Sequence, residues 1–276
     1  MIRTYTSSEH EKSGCLITEI ASERSGCEIG RMMYGREAGC KDLMTAETTP
    51  KFLRPIRSFV LREGRLTSAQ ERAFRDLWPL YGADWTPDAP IDLTVLFGNV
   101  HPVVLEIGFG NGDSLAEMAE QDPQRNWLGI EVHRPGVGHL LLEIERRGLT
   151  NLRLIRHDAV EVLARGIAPG SLDRVQLFFP DPWPKRRHHK RRILTPELIG
   201  LLAHALRPGG VFHAATDWEP YAEQMLEILE ASSESFENLA GADGFSPRPA
   251  ARPLTRFEQR GERLGHRVRD LMFRRR

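Results

Sequence analysis

Three features are scarce in this chain of 276 residues: cysteine, long apolar runs and an excess of charge of either sign. Cys15, Cys27 and Cys40 all lie in the first forty residues, their spacing matches no zinc motif, and their odd number fits no disulfide framework. No apolar run approaches the roughly 18 to 20 residues that cross a bilayer, and the amino terminus lacks the apolar stretch of a signal peptide. The sequence therefore predicts reduced thiols, no membrane span and a cytoplasmic location.

The net charge of zero hides a strong separation of charge along the chain. Residues 185–192 carry six Lys or Arg and no acid, and residues 248–276 carry ten Arg against three acids. The rest of the chain must therefore be acidic, and the two basic stretches create a local positive field of the kind that binds phosphate. The alternative is that both stretches are solvated basic faces without a ligand.

The organisation of the chain changes twice along its length. Residues 1–43 are rich in Ser, Gly, Glu and Arg and show no helical or strand period, so we expect a disordered or dispensable extension. Residues 44–90 contain an amphipathic pattern at 66–80, which predicts a lid or packing helix ahead of a proline-rich linker. Residues 91–276 are expected to form the main domain.

Short apolar runs alternate with helical patterns in this main domain. Strands are predicted at 103–107, 127–132, 152–157, 174–179 and 210–215, and helices at 114–121, 135–147, 159–165 and 196–206. Ser114 with Glu117 fits a capping box, and Thr195 before Pro196 fits a helix start. This alternation is typical of βαβ crossovers, so the predicted fold class is α/β, with a mainly parallel sheet and helices on both faces.

A glycine-rich loop follows the first of these strands, at the edge where parallel sheets bind ligands. Gly108, Gly110 and Gly112 form the pattern G-x-G-x-G, and the lack of side chains lets a ligand approach the backbone. Asp113 stands where a dinucleotide-binding loop needs glycine, and no Gly-Lys-Ser/Thr follows. Neither a dinucleotide site nor a P-loop therefore fits this sequence.

Acidic residues end three successive strands: Glu106, Glu131 and Asp158. A carboxylate at Glu106 suits an amine, one at Glu131 suits two ribose hydroxyls, and one at Asp158 suits an adenine amino group. The structural alternative is that these acids only cap helices.

With the glycine loop, these acids resemble the class I S-adenosylmethionine-dependent methyltransferases over roughly residues 90–276. The resemblance implies a Rossmann-like sheet of seven strands and S-adenosylmethionine as the cofactor. It assigns Glu106 and the 108–112 loop to the methionine end of the cofactor, Glu131 to the ribose and Asp158 to the adenine.

The fourth strand leads into the stretch FFPDPWPKRRHHKRR, residues 178–192. Prolines on both sides of Asp181 restrict its backbone, so its carboxylate is held rigidly; the alternative is a plain turn that closes the strand. Trp183 either stacks on a base or packs within the protein. His188 and His189 have no acidic or cysteine neighbour, so we predict no metal site.

This stretch, with LEIGFGNG at 105–112, TDW at 216–218 and TRFE at 255–258, is similar to the bacterial tRNA (guanine-N7-)-methyltransferases, although Pro184 departs from their usual pattern. The resemblance implies methylation of guanine N7 in the variable loop of tRNA. It makes Asp181 the catalytic carboxylate, beside the cofactor. It assigns substrate contacts to Lys185, Arg187, His188, His189, Lys190, Arg191, Arg192, Asp217, Thr255, Arg256, Phe257 and Glu258.

The chemistry of guanine N7 limits what Asp181 has to do. N7 carries an in-plane lone pair and no proton, so we expect Asp181 to orient the base and balance its developing charge without accepting a proton. A further hypothesis is that Glu258 accepts hydrogen bonds from guanine N1–H and its amino group. Two other functions stay open: a methyltransferase for another nucleic-acid position or for a protein, and an RNA-binding module whose cofactor site has lapsed.

Overall fold

The computed structural model describes residues 57–60, 64–255, 258–259, 261, 265 and 267–276. All of them belong to the second of two structural units, Leu53–Arg276. The expectation for residues 1–43, and the substrate contacts assigned to Arg256 and Phe257, lie outside the described residues.

The elements alternate as the sequence predicts. The helices are α1 (Ser68–Asp76), α2 (Trp78–Tyr81), α3 (Leu93–Phe97), α4 (Asp113–Gln121), α5 (Arg134–Arg147), α6 (Ala159–Arg165), α7 (Pro196–Ala205) and α8 (Glu219–Glu230), with a 3₁₀ helix η1 (Arg186–Arg191). The strands are β1 (Gly82–Ala83), β2 (Val103–Ile107), β3 (Asn126–Ile130), β4 (Leu152–Ile155), β5 (Leu172–Phe178), β6 (Leu206–Thr216), β7 (Phe236–Asn238) and β8 (Arg269–Arg275).

One sheet contains these strands in the order β1-β4-β3-β2-β5-β6-β8-β7. Strands β1 to β6 pair in parallel, and β8 runs antiparallel to both β6 and β7. The predicted α/β, Rossmann-like class I methyltransferase fold with a mainly parallel sheet is thereby confirmed. Within the described residues the sheet has eight strands, one more than the seven expected, because the two-residue β1 pairs with β4. So short a strand leaves no periodic pattern in the sequence.

Helices cover both faces of the sheet. Neighbouring residues of a strand point to opposite faces, and in β2 Leu105 packs in the apolar cluster of α6, α7 and α8, while Val104 packs in that of α1, α4 and α5. Both side chains are fully buried, and four of the five residues of this strand are apolar because both of its faces are covered. No helix in the described part of the chain is long and apolar enough to cross a membrane.

The start of α4 differs from the prediction, and the start of α7 agrees with it. The capping box of Ser114 and Glu117 is wrong, because α4 begins at Asp113 and its N-cap is Gly112, which has no side chain to accept a hydrogen bond. Thr195 caps α7 as predicted and accepts from a backbone N–H in the first turn. The glycine loop thus runs directly into α4.

Candidate active site

Two adjoining cavities open at the carboxyl edge of the parallel strands. The first, of about 250 Å³, is lined by four of the residues predicted from the sequence: Gly108, Glu131, Asp158 and Asp181. The second, of about 480 Å³, is lined by four more of the predicted residues: Glu106, Gly110, Gly112 and Thr255. Arg147, which was not predicted, lines it as well. Gly108 and Phe178 line both cavities. The folded chain therefore brings together the residues assigned to the cofactor.

The glycine loop needs glycine for two different reasons. Gly108, Gly110 and Gly112 have φ angles of 70°, 61° and 79°, a region that residues with a Cβ rarely adopt. A Cβ added to Gly108 or Gly110 would meet no atom within 4 Å, whereas one on Gly112 would lie 2.6 Å from Leu140. The first two glycines therefore leave open space for a ligand, and the third allows close packing against α5.

Glu131 fastens this loop to the end of β3. One carboxylate oxygen accepts a hydrogen bond from Gly110 N at 2.9 Å, and the other accepts from Val132 N and His133 N at 2.7 and 2.9 Å. An ionised carboxylate has about four acceptor positions, so one is left for a ligand. The residue predicted to bind ribose therefore also holds the loop in place.

Glu106 is buried near the same loop, and one of its carboxylate oxygens lacks a hydrogen-bond partner among the described residues. It is 2% exposed, and its Oε2 has no hydrogen-bond partner among the described residues. Burial, and to a smaller extent the negative charge of Glu131, raises the pKa of Glu106 to about 8. A cation brought to this oxygen would satisfy it and favour its ionised form. The site therefore suits the ammonium group of a ligand.

Asp158 has the capping role that the structural alternative foresaw. One of its oxygens accepts from Val160 N at 3.0 Å and so caps α6. The same residue lines the first cavity beside His157, whose Nε2 lies 2.9 Å from Glu161 Oε2. Capping fixes Asp158 at the edge of the cavity, where it stays available to a ligand.

The chain after β5 is strained on both sides of Asp181. Phe179 and Trp183 have φ angles of 49° and 45°, which bulky residues adopt only where their surroundings enforce them. Phe179 N donates to Ala215 O at 2.8 Å, and Trp183 Nε1 donates to Ser58 O at 3.3 Å. Asp181 is exposed between these two anchors and lines the first cavity. The expected rigidity of this carboxylate therefore has a structural basis.

The basic stretch forms η1 directly after this loop. Its exposed cations are Lys185, Arg186, Arg187 and Lys190, and no acid within the described ranges forms an ion pair with them. The Arg191 guanidinium lies 5.0 Å from the centre of the Trp183 ring, and the His188 ring meets the same indole at 5.8 Å. Trp183 therefore contacts both of these side chains. Desolvation, and next the charge of Arg187, lowers the pKa of His188 below its ordinary value.

Arg192 points inward, although the sequence assigned it to the substrate. It is 4% exposed, and its Nε donates to Pro182 O at 2.8 Å. Its guanidinium lies 4.7 Å from the centre of the Tyr221 ring and donates to Gln224. These contacts leave no free face for RNA. Arg192 instead stabilises the loop that carries Asp181, through its bond to Pro182 O. The six cations of residues 185–192 therefore include four that are exposed and at least one that is structural.

Glu258 is also buried, in a network of charged residues that sequence reasoning missed. Arg252 donates to both oxygens of Glu258 at 2.7 and 2.8 Å and to both oxygens of Asp270 at 2.8 and 3.1 Å. His213 Nε2 lies 2.7 Å from Asp270 Oδ1, and all four residues are 2% exposed. Bidentate pairing of Glu258 with guanine would need the two oxygens that Arg252 occupies. That hypothesis therefore does not agree with the structure.

This buried network borders both cavities. The Arg252 guanidinium lies 5.9 and 5.8 Å from the ring centres of Phe178 and Phe179, which line both cavities. The Thr255 hydroxyl accepts from Glu258 N at 3.1 Å, and Thr255 itself lines the cavity of the glycine loop. The signal that could have revealed the network is a charged or polar residue inside an apolar strand, as in GVFHAA and RDLMF, because a buried charge needs a partner.

Asp217 lies after β6, in a separate pocket of about 340 Å³ with Trp218 and Arg267. The structure does not bring it to either of the two cavities. The part of the chain that is described contains no group of three or more His, Cys, Asp or Glu arranged to hold a metal.

Comparison with known proteins places the chain in a family. A family model with the description "Putative methyltransferase" matches residues 100–271. The tRNA (guanine-N(7)-)-methyltransferase of Aeromonas hydrophila is 59% identical over 225 residues, which cover 82% of this chain and 94% of the relative. That of Alkalilimnicola ehrlichii is 58% identical over 224 residues, 81% of this chain and 94% of the relative. That of Shewanella woodyi is 54% identical over 236 residues, which cover 85% of this chain and 98% of the relative.

Proposed function

Because the chain belongs to the tRNA (guanine-N(7)-)-methyltransferase family, we propose that it transfers a methyl group from S-adenosylmethionine to guanine N7 in the variable loop of tRNA. One observation carries the proposal: an acidic, glycine-lined cavity and an exposed basic helix flank the same carboxylate, Asp181. The cavity suits a small cationic nucleoside, and the helix suits the phosphates of RNA.

The cofactor end is assigned from the partners that each residue still lacks. The unpartnered oxygen of Glu106 takes the ammonium group, and the open faces of Gly108 and Gly110 allow close approach. Glu131 offers its remaining acceptor position to the ribose, and Asp158 accepts from the adenine amino group. When bound, S-adenosylmethionine supplies a methyl group made electrophilic by its sulfonium charge.

The acceptor end works by placement and electrostatics. Guanine N7 has a lone pair and no proton, so the protein need not supply a base. Asp181 orients the guanine and balances the positive charge that methylation puts on the ring, which a preformed carboxylate does without reorganisation. The strained neighbours Phe179 and Trp183, and the bond from Arg192 to the loop, keep it in place. The exposed cations around η1 bind the tRNA backbone.

The test is to incubate the protein with labelled S-adenosylmethionine and an unmodified tRNA transcript, then treat the RNA with borohydride and aniline, which cleave at 7-methylguanine. We expect a single scission, at the guanine of the variable loop. A transcript with adenine at that position is the matched control and should stay intact. Labelled RNA without scission would contradict N7 methylation, and scission at another guanine would contradict the variable-loop assignment.

A further inference from the structure

A pocket with two arginines lies beside the first cavity, the one that Glu131, Asp158 and Asp181 line and that is called the cofactor cavity below. Its volume is about 360 Å³, and it forms where α1, α2 and β1 meet the start of α5 and the end of β4. Six side chains form most of its wall: Phe74, Trp78, Trp85, Arg134, Arg156 and His157. His157 lines both this pocket and the first cavity, so the two spaces are neighbours.

The two arginines of this pocket are exposed and have no acidic partner. Among the residues that the structure describes, no carboxylate forms an ion pair with Arg134 or Arg156. Arg134 lies 5.0 Å from the centre of the Phe74 ring, a cation–π contact that holds the guanidinium at the pocket. Asp84 also lines the pocket, but its Oδ1 accepts from Trp78 Nε1 at 2.9 Å. Two cations therefore face one carboxylate, and neither of them forms an ion pair with it among the described residues.

The pocket and the basic helix η1 lie on opposite flanks of the cofactor cavity. Arg156 follows β4, η1 follows β5, and β3 and β2 lie between those two strands. With about 4.8 Å between neighbouring strands, the ends of β4 and β5 are roughly 14 Å apart. One RNA molecule that presents a base to Asp181 can therefore reach both flanks.

We propose that Arg134 and Arg156 bind the sugar–phosphate backbone of the tRNA and form a second anchor across the cofactor cavity from η1. The inference rests on the proposed function, since it takes tRNA as the substrate. Phosphate contacts fix the orientation of a nucleic acid without reading its sequence. Anchors on both flanks prevent the RNA from pivoting about η1, so the target base stays above Asp181.

The test uses Arg134→Gln, Arg156→Gln and the double variant. Both side chains are exposed, and thermal melting checks that the fold is unchanged. The matched control is Arg165→Gln, which removes the same charge from an exposed residue at the far end of α6. The Kd for tRNA is measured by filter binding over a series of salt concentrations, and the Kd for S-adenosylmethionine is measured by calorimetry on the same proteins.

We expect the double variant to bind tRNA several-fold more weakly, and the slope of log Kd against log salt to fall by roughly 0.7 to 0.9 for each phosphate that the protein no longer neutralises. Cofactor affinity should stay within about twofold of the wild type. A double variant that binds tRNA as the Arg165→Gln control does would overturn the anchor. So would weaker cofactor binding with normal tRNA binding, because the arginines would then belong to the cofactor site.

The wild-type protein separates the failure of this inference from the failure of the proposed function. If it binds tRNA, and the two arginines contribute to binding, but no 7-methylguanine forms, the proposed reaction fails and the anchor stands. If it methylates tRNA and the variants bind normally, the anchor alone fails.

Discussion

The cofactor end and the substrate end of this site are built in opposite ways. At the cofactor end two of the three carboxylates are buried, Glu106 at 2% and Glu131 at 9% exposure, and Asp158 is half-buried. At the substrate end Asp181, Lys185 and Arg187 are exposed. A small cationic ligand can be surrounded, so its partners are buried and held by the backbone. A tRNA arrives from solvent as a large anion, so its partners must lie on the surface.

The two ends therefore destabilise the ligand-free protein in different ways. Glu106 carries a desolvation cost until a cation arrives, which makes the cofactor end sensitive to pH. At the substrate end the backbone is strained at Phe179 and Trp183, so this end should be sensitive to the packing of the loop. Its exposed cations repel one another, so it should also be sensitive to salt. Substitutions at single residues can separate these costs, and we expect their effects to decrease from the buried network to the exposed cations.

The largest effect is expected at Arg252, in the buried network that borders both cavities. Arg252→Met would leave Glu258 and Asp270 as buried carboxylates without their cation, and the loss of one partner from a buried ion pair costs about 3–5 kcal/mol of unfolding free energy. Denaturant unfolding measures this loss. Arg248→Met, at a half-exposed arginine 3.8 Å from Glu258, is the matched control and should cost far less. Equal losses in the two variants would contradict a special role for Arg252.

Asp181→Ala tests the substrate end directly. We expect the single-turnover rate to fall about 10²- to 10³-fold, as when another preorganised electrostatic group is removed from an active site. The Kd for S-adenosylmethionine, measured by calorimetry, should change little. Asp181→Asn, which keeps the shape and loses the charge, separates orientation from charge balance. If the alanine variant no longer bound the cofactor, Asp181 would belong to the cofactor end.

Glu106→Gln tests the cofactor end. Loss of a charge-assisted hydrogen bond of about 1.5–3 kcal/mol should weaken S-adenosylmethionine binding roughly 10- to 100-fold and leave the Kd for tRNA unchanged. The variant should also be more stable than the wild type without ligand. The pKa of Glu106 is raised from its ordinary value of 4.5 to about 8 in the folded state, so wild-type stability falls as pH rises from 4.5 to 8.

Thermal unfolding of the two ligand-free proteins measures this difference. The advantage of Glu106→Gln should be small near pH 5 and larger above the folded-state pKa of about 8. An advantage that does not grow with pH would show that Glu106 is ionised in the folded protein and would remove the basis for its role.

The smallest effects are expected for the exposed cations. Arg187→Ala with Lys190→Ala should weaken tRNA binding several-fold. The slope of log Kd against log salt should also fall, because fewer counterions are released when fewer phosphates are neutralised. Arg192→Ala should instead slow turnover with an unchanged salt slope, because its guanidinium braces the Asp181 loop. Filter binding over a salt series and single-turnover rates distinguish the two. Equal salt slopes for the two variants would contradict the division of the basic block.

The central strands were predictable because helices cover both faces of the sheet, so these strands appear in the sequence as short, mostly apolar runs. The strand predicted from VVLEI agrees with β2 at both ends, Val103–Ile107. The helix predicted at 66–80 is interrupted at Leu77, because Pro79 lacks an N–H to continue it, and a second helix begins at Trp78. The strand Gly82–Ala83 is too short to show a period. Local pattern therefore predicted the first five long strands and the helices between them, but not α8, β7 or β8 near the carboxyl terminus.

The site was predictable where a residue follows a strand, and less so where tertiary packing turns a side chain. Glu106, Glu131 and Asp158 lie at the cavities because the topology puts strand ends there. Arg192 sits in the same basic run as Arg187, but Tyr221 and Gln224 on α8 draw it inward. Glu258 is likewise taken by Arg252, six positions before it. A run of like charges does not reveal which member has a buried partner.

The central claim is that the substrate end acts by position, without proton transfer, while Glu106 at the cofactor end must lose a proton to bind its ligand. The most direct test is the pH dependence, between about pH 6 and 7.5, of the single-turnover rate at saturating cofactor and tRNA and of the Kd for S-adenosylmethionine. We predict a flat rate and a Kd that falls about tenfold per pH unit, since the pKa of Glu106 is about 8. A rate that rises tenfold per unit while the Kd stays constant would contradict both parts.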